Sequence, residues 1–329
     1  MVNGNPNQIQ KMIELKNNKL KISFPEVHKD AETSIDFQRT LRIPNDGNTY
    51  PLPAGFGNFP LKHVEDFTGS IPSNWKDRGG VMMPIYQSEA LWINFTNYGY
   101  PMAIKIGTGK INAINGREWN TSLNFRNQDY IVSSEQPWLD GFKIDGENIR
   151  QFVAAPLGND LTVEEQITGE AEFGGIQIEA YPLKGKAWES ILQERRKKEK
   201  FAPRIHYSKI ASSEMGFGMG GKISQKVYKD KYGEDKWDLQ LSNKCFIHVL
   251  NSLDWEEITG QNPPNPPISK NDYQRRNIPW FNYYSEEKVL GGKSIFSKLD
   301  SINVSEDQNS INPKLIKNIF PKVSEWDGN

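Results

Sequence analysis

The sequence contains few of the residues that cross-link a chain or bind a transition metal. Its 329 residues include one cysteine, Cys245, and four histidines that are far apart and never occur in H-x-x-x-H spacing. One cysteine excludes an intramolecular disulfide and a cysteine-rich zinc site. Scattered histidines give no sign of a catalytic zinc centre, so the sequence predicts no metal site and no cofactor.

The chain also lacks an excess of either charge and a long apolar run. Lys and Arg number 40 against 41 Asp and Glu, which leaves a formal net charge of -1. This balance argues against non-specific binding to nucleic acid or to an acidic membrane surface. No apolar stretch approaches the ~18 residues of a membrane span, and the first residues lack the apolar core of a signal peptide. We therefore expect a soluble cytoplasmic protein with no nucleic-acid partner and no membrane span.

Short alternating segments dominate the middle of the chain. Apolar and polar residues alternate, or form short β-branched runs, at 91–95, 102–106, 110–114, 142–144, 147–153 and 176–181. Asn115-Gly116 and Asp145-Gly146 have the composition of type I′ hairpin turns, which require positive φ. No long helical pattern separates these segments. They predict an α+β fold that is predominantly antiparallel β, as a sandwich or an open twisted sheet, with a few helices and long ordered loops.

Two segments have helical signals. Thr162 precedes 163–166 and is followed three residues later by Glu165, which is the pattern of a capping box. Apolar residues at helical spacing in 184–200 are followed by a charged run, which predicts an amphipathic helix that ends before Pro203.

Changes in composition divide the chain into three segments. Residues 1–36 are polar, residues 37–183 form the β-rich core region, and residues 184–329 mix helix, strand and loop and are expected to pack on that core. The turn-rich stretch 41–80 contains too many apolar residues for a disordered spacer. A single domain is also compatible with this pattern.

Motifs with catalytic potential all have simpler structural interpretations. The glycine-rich run 216–221 lacks the flanking strand and helix of a phosphate-binding loop. Cys245 and His248 lie in a short apolar run, and in a strand residues three apart point to opposite faces. We therefore expect a buried, unreactive cysteine rather than a nucleophile. Five neighbouring carboxylates are compatible with acid–base chemistry, but their spacing is uninformative: Glu164, Glu165, Glu170, Glu172 and Glu179.

Aromatic residues are the least ordinary feature of the composition. Nine tryptophans, twelve tyrosines and sixteen phenylalanines make up 11% of the chain, and several lie next to turn residues. Such rings either fill the seams where loops cross a sheet or form a surface that stacks on sugars, bases or side chains. Residues 263–267 are proline-rich and lead into the densest aromatic cluster, where at least one ring of each adjacent pair must face away from the core. The candidate binding residues are Trp280, Phe281, Tyr283, Tyr284 and Trp138.

Several short stretches of the sequence resemble those of an uncharacterised family of bacterial and fungal proteins. They occupy 136–141, 150–158, 165–169 and 174–177, and the likeness extends over 78–95 and 251–284. The resemblance brings no activity or catalytic residues with it. It implies only that these sequence stretches belong to one fold.

The sequence favours a non-catalytic binding or assembly module that uses exposed aromatic residues. Its partner would be a protein or a small molecule such as a carbohydrate, and self-association into a homo-oligomer is compatible with such a surface. The alternative is a hydrolase whose dispersed acid and base residues meet in a cleft of the β-rich region. Its catalytic residues remain unknown from the sequence. An exposed aromatic patch would favour the binding module, and converging titratable groups would favour the hydrolase.

Overall fold

The computed structural model describes residues 13–43, 53–97, 99–144, 149–199 and 225–276. Within these ranges the chain forms strands that we number in chain order: β1 Ile13–Lys16, β2 Lys19–Ser23, β3 Glu32–Thr40, β4 Lys62–His63, β5 Val81–Ile85, β6 Ala90–Asn97, β7 Met102–Thr108, β8 Ile111–Asn112, β9 Ile131–Val132, β10 Trp138–Leu139, β11 Gly141–Lys143, β12 Ile149–Val153, β13 Ile176–Pro182 and β14 Asn243–Asn251.

Helices are shorter and lie between the strands. The α-helices are α1 Ser73–Arg78, α2 Val163–Thr168, α3 Gly185–Glu199, α4 Trp255–Thr259 and α5 Lys270–Gln274, with 3-10 turns at Val64–Phe67 and Glu234–Lys236. The capping box of α2 is confirmed, because the Thr162 side chain accepts from the Glu165 amide. The predicted amphipathic helix is α3, in which Trp188 is buried and Glu194, Arg195 and Arg196 are exposed.

The first sheet is antiparallel throughout its described strands. Its order is β1-β2-β3-β6-β12-β11, and the short β10 also pairs with β6. Strand β6 is the junction of this sheet, because β3 lies along one side of it and both β10 and β12 lie along the other. Positions on β3, β6 and β10 therefore line up across the sheet.

The second sheet joins segments that are far apart in sequence. Its order is β4-β5-β14-β13-β7-β8, with β9 on β7. The pairing of β5 with β14 is parallel, and the other pairings in this sheet are antiparallel. Strand β14 thus forms the link between the β4–β5 pair and the antiparallel part of the sheet.

One hydrophobic core joins the two sheets. Ile35, Ile93 and Phe95 of the first sheet and Ile104 and Ile178 of the second belong to one cluster of buried side chains. The strands alternate these apolar residues with more polar ones, which leaves an outer face on each sheet. The predicted α+β class, predominantly antiparallel β, is confirmed, and the strands form two open, mostly antiparallel sheets.

The outer face of the second sheet is covered by the segment that follows β8. The fully buried Lys105 of β7 donates from Nζ to Asn120 Oδ1 at 3.0 Å, to Asp129 Oδ2 at 2.8 Å and to the Ser122 carbonyl. A buried ammonium requires such compensation, because its desolvation is costly. This network fixes the covering segment in place.

The predicted type I′ turn at Asn115-Gly116 was correct about the positive φ of the glycine but wrong about the turn type. Gly116 has a φ of 69°, whereas Asn115 is not among the described non-glycine residues with positive φ. The two-residue hairpin loop instead lies earlier, at Gly109 and Lys110 between β7 and β8, with a positive φ of 54° at Gly109. Glycine at the first central position is the pattern of a type II′ turn. Asp145 and Gly146 lie outside the described residues.

The three segments distinguished by composition all contribute to the sheets. Residues before 37 supply β1, β2 and part of β3, and β14 comes from the third segment. The division into domains stays a prediction. In the described ranges, no helix is both long and apolar enough to cross a membrane.

We predict that Gly80 is essential to the junction between β5 and β14. A Cβ there would lie 2.2 Å from the Phe246 carbonyl oxygen, and Gly80 has a φ of 88°. Gly158 is the matched control, because its φ is 89° and nothing lies within 4 Å of its added Cβ. Both alanine variants carry backbone strain of roughly 1–2 kcal/mol, and Gly80→Ala adds a steric cost of about 1–3 kcal/mol. Equal free energies of unfolding for the two variants in urea titrations would contradict this account.

Candidate ligand-binding face

Two tryptophans lie side by side on the outer face of the first sheet. Trp92 belongs to β6 and Trp138 to β10, and the register places Trp138 opposite Asn94, two residues beyond Trp92. Their ring centroids are 6.1 Å apart at an interplanar angle of 85°. Both side chains are half-buried, so each ring packs against the protein and keeps part of its surface open. We call this pair and its polar neighbours the aromatic face.

A row of polar side chains continues the aromatic face across the sheet. Asp36 of β3 lies opposite Asn94, and Gln38 lies opposite Trp92. Asp36 is fully buried and accepts from Lys19 Nζ at 2.8 Å, Gln38 Nε2 at 2.6 Å and Asn94 Nδ2 at 3.1 Å. These charge-assisted contacts hold the amides of Gln38 and Asn94 in fixed positions beside the rings.

Asp140 lies at the other end of the aromatic face, where β10 ends. Its Oδ2 accepts from Trp138 Nε1 at 3.2 Å, and its backbone carbonyl accepts from the Phe152 amide at 3.1 Å. Asp140 is 2% exposed. Burial raises the pKa of its carboxyl to about 7, against a smaller opposing effect of the Trp138 hydrogen bond. An acid of this pKa changes charge near neutral pH.

The free edge of β10 is held by a glutamine rather than by another strand. Gln225 Oε1 accepts from the Asp140 amide and Gln225 Nε2 donates to the Trp138 carbonyl, each at 3.0 Å. This side chain therefore imitates a neighbouring strand. The backbone of Trp138 to Asp140 is consequently held on both sides, by β6 and by the Gln225 side chain.

The structure brings together only part of the set predicted from the sequence. Trp138 lies in the aromatic face, whereas Trp280, Phe281, Tyr283 and Tyr284 lie outside the described residues. Sequence reasoning missed Trp92, Asp36 and Asp140. The sequence does contain a signal that marks Trp92 as a candidate binding residue. In the alternating strand 91–95, Trp92 occupies a position on the polar side, where a large aromatic ring is unusual.

The proline-rich segment 263–267 is anchored to the first sheet. Arg39 Nη2 donates to the Pro266 carbonyl at 2.9 Å and to Glu89 Oε1 at 2.5 Å. Further along, the buried Tyr273 hydroxyl accepts from the Arg42 amide at 2.9 Å. These contacts attach the chain up to α5 to the end of β3.

The carboxylates considered for a hydrolase serve other purposes in the fold. Glu164 accepts from the amides of Gly174 and Lys110, and Glu165 accepts from the amide of Gly158. Glu170 and Glu172 pair with Lys110. Glu179 accepts from the Ser242 hydroxyl at 2.9 Å on the second sheet. These contacts of the five residues stabilise loops and strand ends.

Cys245 and His248 point to opposite faces of β14, as predicted. His248 is buried, stacks on Trp75 with centroids 4.4 Å apart, and lies 3.0 Å from the Gly79 carbonyl oxygen. Burial lowers the pKa of His248 to about 4 and raises the pKa of Cys245 to about 12. The expectation of a buried cysteine was wrong in degree, because Cys245 is half-buried. Its surroundings still disfavour the thiolate.

Within the described ranges, no three residues among His, Cys, Asp and Glu come together in a group that could hold a metal ion. Comparison of the chain with protein-family models, curated proteins and solved structures finds no match. The aromatic face is therefore interpreted from its own chemistry.

We predict that Asp140→Asn stabilises the protein at alkaline pH. A carboxyl whose pKa rises on folding contributes stability at low pH that is lost as the pH rises from about 4 through 7. Asparagine removes this loss, so the variant should exceed the wild type in free energy of unfolding at pH 8 by on the order of 1–3 kcal/mol. The difference should shrink in urea titrations at pH 6 and at pH 5.

Asp36→Asn provides the matched control. Its carboxylate has three side-chain donors, so its replacement should lower the free energy of unfolding at pH 8. A less stable Asp140→Asn variant at pH 8 would contradict the assignment of an unfavourable buried charge.

We predict slow modification of Cys245 by a disulfide-exchange thiol reagent at pH 8. The thiolate is the reactive form, and a pKa of about 12 leaves little of it. Strong denaturant should restore rapid labelling of the same thiol. Complete labelling of the native protein within the mixing time would instead mark Cys245 as an activated nucleophile.

Proposed function

We propose that this protein is a non-catalytic binding module whose aromatic face recognises a small molecule. The observation that carries the proposal is the half-buried pair of Trp92 and Trp138 beside fixed polar side chains. Rings on an outer sheet face lose the benefit of full burial, which a ligand restores on binding. The adjoining amides of Gln38 and Asn94 supply hydrogen-bonding groups that orient the ligand.

A small ligand fits this face better than a protein surface does. The aromatic face combines its two indole rings with the carboxyl groups of Asp36 and Asp140 at its two ends. Small-molecule sites combine aromatic side chains with a few placed polar groups. A protein partner, a cytoplasmic location, the absence of a nucleic-acid partner and compatibility with a homo-oligomer all stay predictions.

Binding should depend on Trp138 and not on exposed aromatic residues in general. We would titrate the protein with neutral oligosaccharides, nucleosides, aromatic amino acids and choline, and follow tryptophan fluorescence and thermal stability. A probe that binds the wild type should bind Trp138→Ala at least roughly fivefold more weakly, since a stacked ring contributes about 1–3 kcal/mol. Tyr228→Ala is the control, because Tyr228 is 54% exposed and lies outside the aromatic face.

Circular dichroism and melting curves establish that both variants fold. Binding that is insensitive to Trp138→Ala, or that is lost in Tyr228→Ala, would refute the proposed location of the site.

A hydrolase is the second candidate, and Asp140 is the observation that favours it. A buried carboxyl with a pKa of about 7 retains a proton that a general acid can donate, and Asp36 supplies a second carboxyl on the same sheet face. Release of reducing ends from the oligosaccharide probes, abolished by Asp140→Asn, would support this candidate over simple binding.

A further inference from the structure

Two polar atoms of the aromatic face have no hydrogen-bond partner among the described residues. They are the indole Nε1 of Trp92 and the Oδ1 of Asp140, and both atoms are buried. Leaving either atom unsatisfied costs about 1–3 kcal/mol. A donor and an acceptor that both lack a partner on one face indicate a group that interacts with each of them.

The chemistry of these atoms restricts what that group can be. An indole N–H only donates, whereas a carboxyl oxygen accepts when ionised and can donate when protonated. Ammonium groups only donate and cannot satisfy Trp92. Phosphates and carboxylates only accept, and they would add negative charge beside Asp36 and Asp140. A hydroxyl accepts from Trp92 and either donates to or accepts from Asp140.

The surroundings indicate several hydroxyls around an apolar ring. Trp138 offers an indole whose own N–H is already donated to Asp140, so its open surface is apolar. The amides of Gln38 and Asn94 lie along the same face and both donate to Asp36, which fixes their orientation. A saturated ring with C–H groups on its faces and hydroxyls at its rim matches this alternation of apolar and polar surface.

We propose that the ligand of the aromatic face is a neutral carbohydrate, with one ring hydroxyl held between Trp92 Nε1 and Asp140 Oδ1. This proposal rests on the proposed binding function. Trp138 contributes the apolar contact to the sugar ring.

The test uses the full chain and soluble oligomers of glucose, xylose, mannose and N-acetylglucosamine, measured by calorimetry. Trp92→Phe keeps a ring but removes the N–H, so binding should weaken roughly tenfold, as expected for one buried hydrogen bond. Trp119→Phe removes an indole N–H outside the aromatic face and should leave binding unchanged. The monodeoxy analogue that lacks the bridging hydroxyl should bind the wild type as weakly as the complete sugar binds Trp92→Phe.

The outcomes separate this proposal from the function on which it rests. Binding of choline, nucleosides or aromatic amino acids that depends on Trp138, without binding of any sugar, would overturn the carbohydrate and leave the binding module intact. Sugar binding that is unchanged in a folded Trp92→Phe variant would overturn the hydroxyl position. Absence of binding to every probe by the folded wild type would overturn both proposals.

Discussion

The two-residue period of strand β6 is the constraint that connects the core to the candidate site. Ile93 and Phe95 point into the shared core, and Trp92 and Asn94, which alternate with them along the strand, face outward. A shift of one residue in the register of β6 would exchange these two sets. The apolar contacts that fix the register therefore also fix the position of the aromatic face.

The buried carboxyl of Asp140 lowers the stability of the folded protein. This carboxyl is hydrogen-bonded on one oxygen only, and its neutral form is favoured up to about pH 7. The Asp36 carboxyl on the same face accepts from Lys19, Gln38 and Asn94. The two carboxyl groups on this sheet therefore differ in the number of donors that surround them. An unfavourable polar group in a rigid setting is typical of sites in which a ligand completes the interactions.

Local patterns in the sequence predicted the elements, and non-local pairings determined the site. Alternation identified β6, β7 and β13, and the Thr162 and Glu165 pair identified α2, because these signals lie within a few residues of one another. Strand β3 was missed, although Ile35 and Phe37 alternate with polar neighbours, because the surrounding segment is polar overall. The adjacency of Asp36, Asn94 and Trp138 follows from the register of three strands, and one sequence contains no information on that register. The burial that raises the pKa of Asp140 arises from the same long-range packing.

The position of β14 has a consequence for biosynthesis. Strand β5 ends at Ile85, β13 ends at Pro182, and the strand that separates them begins only at Asn243. Until that strand leaves the ribosome, β5 and β13 each present an edge with unpaired backbone groups, which other chains can extend. Parallel pairing over such a separation is also slow, since loop closure precedes the stabilising contacts. The nascent chain is therefore exposed to aggregation while the residues between β5 and β14 are being made, and a chaperone that shields open sheet edges would raise the yield of folded protein.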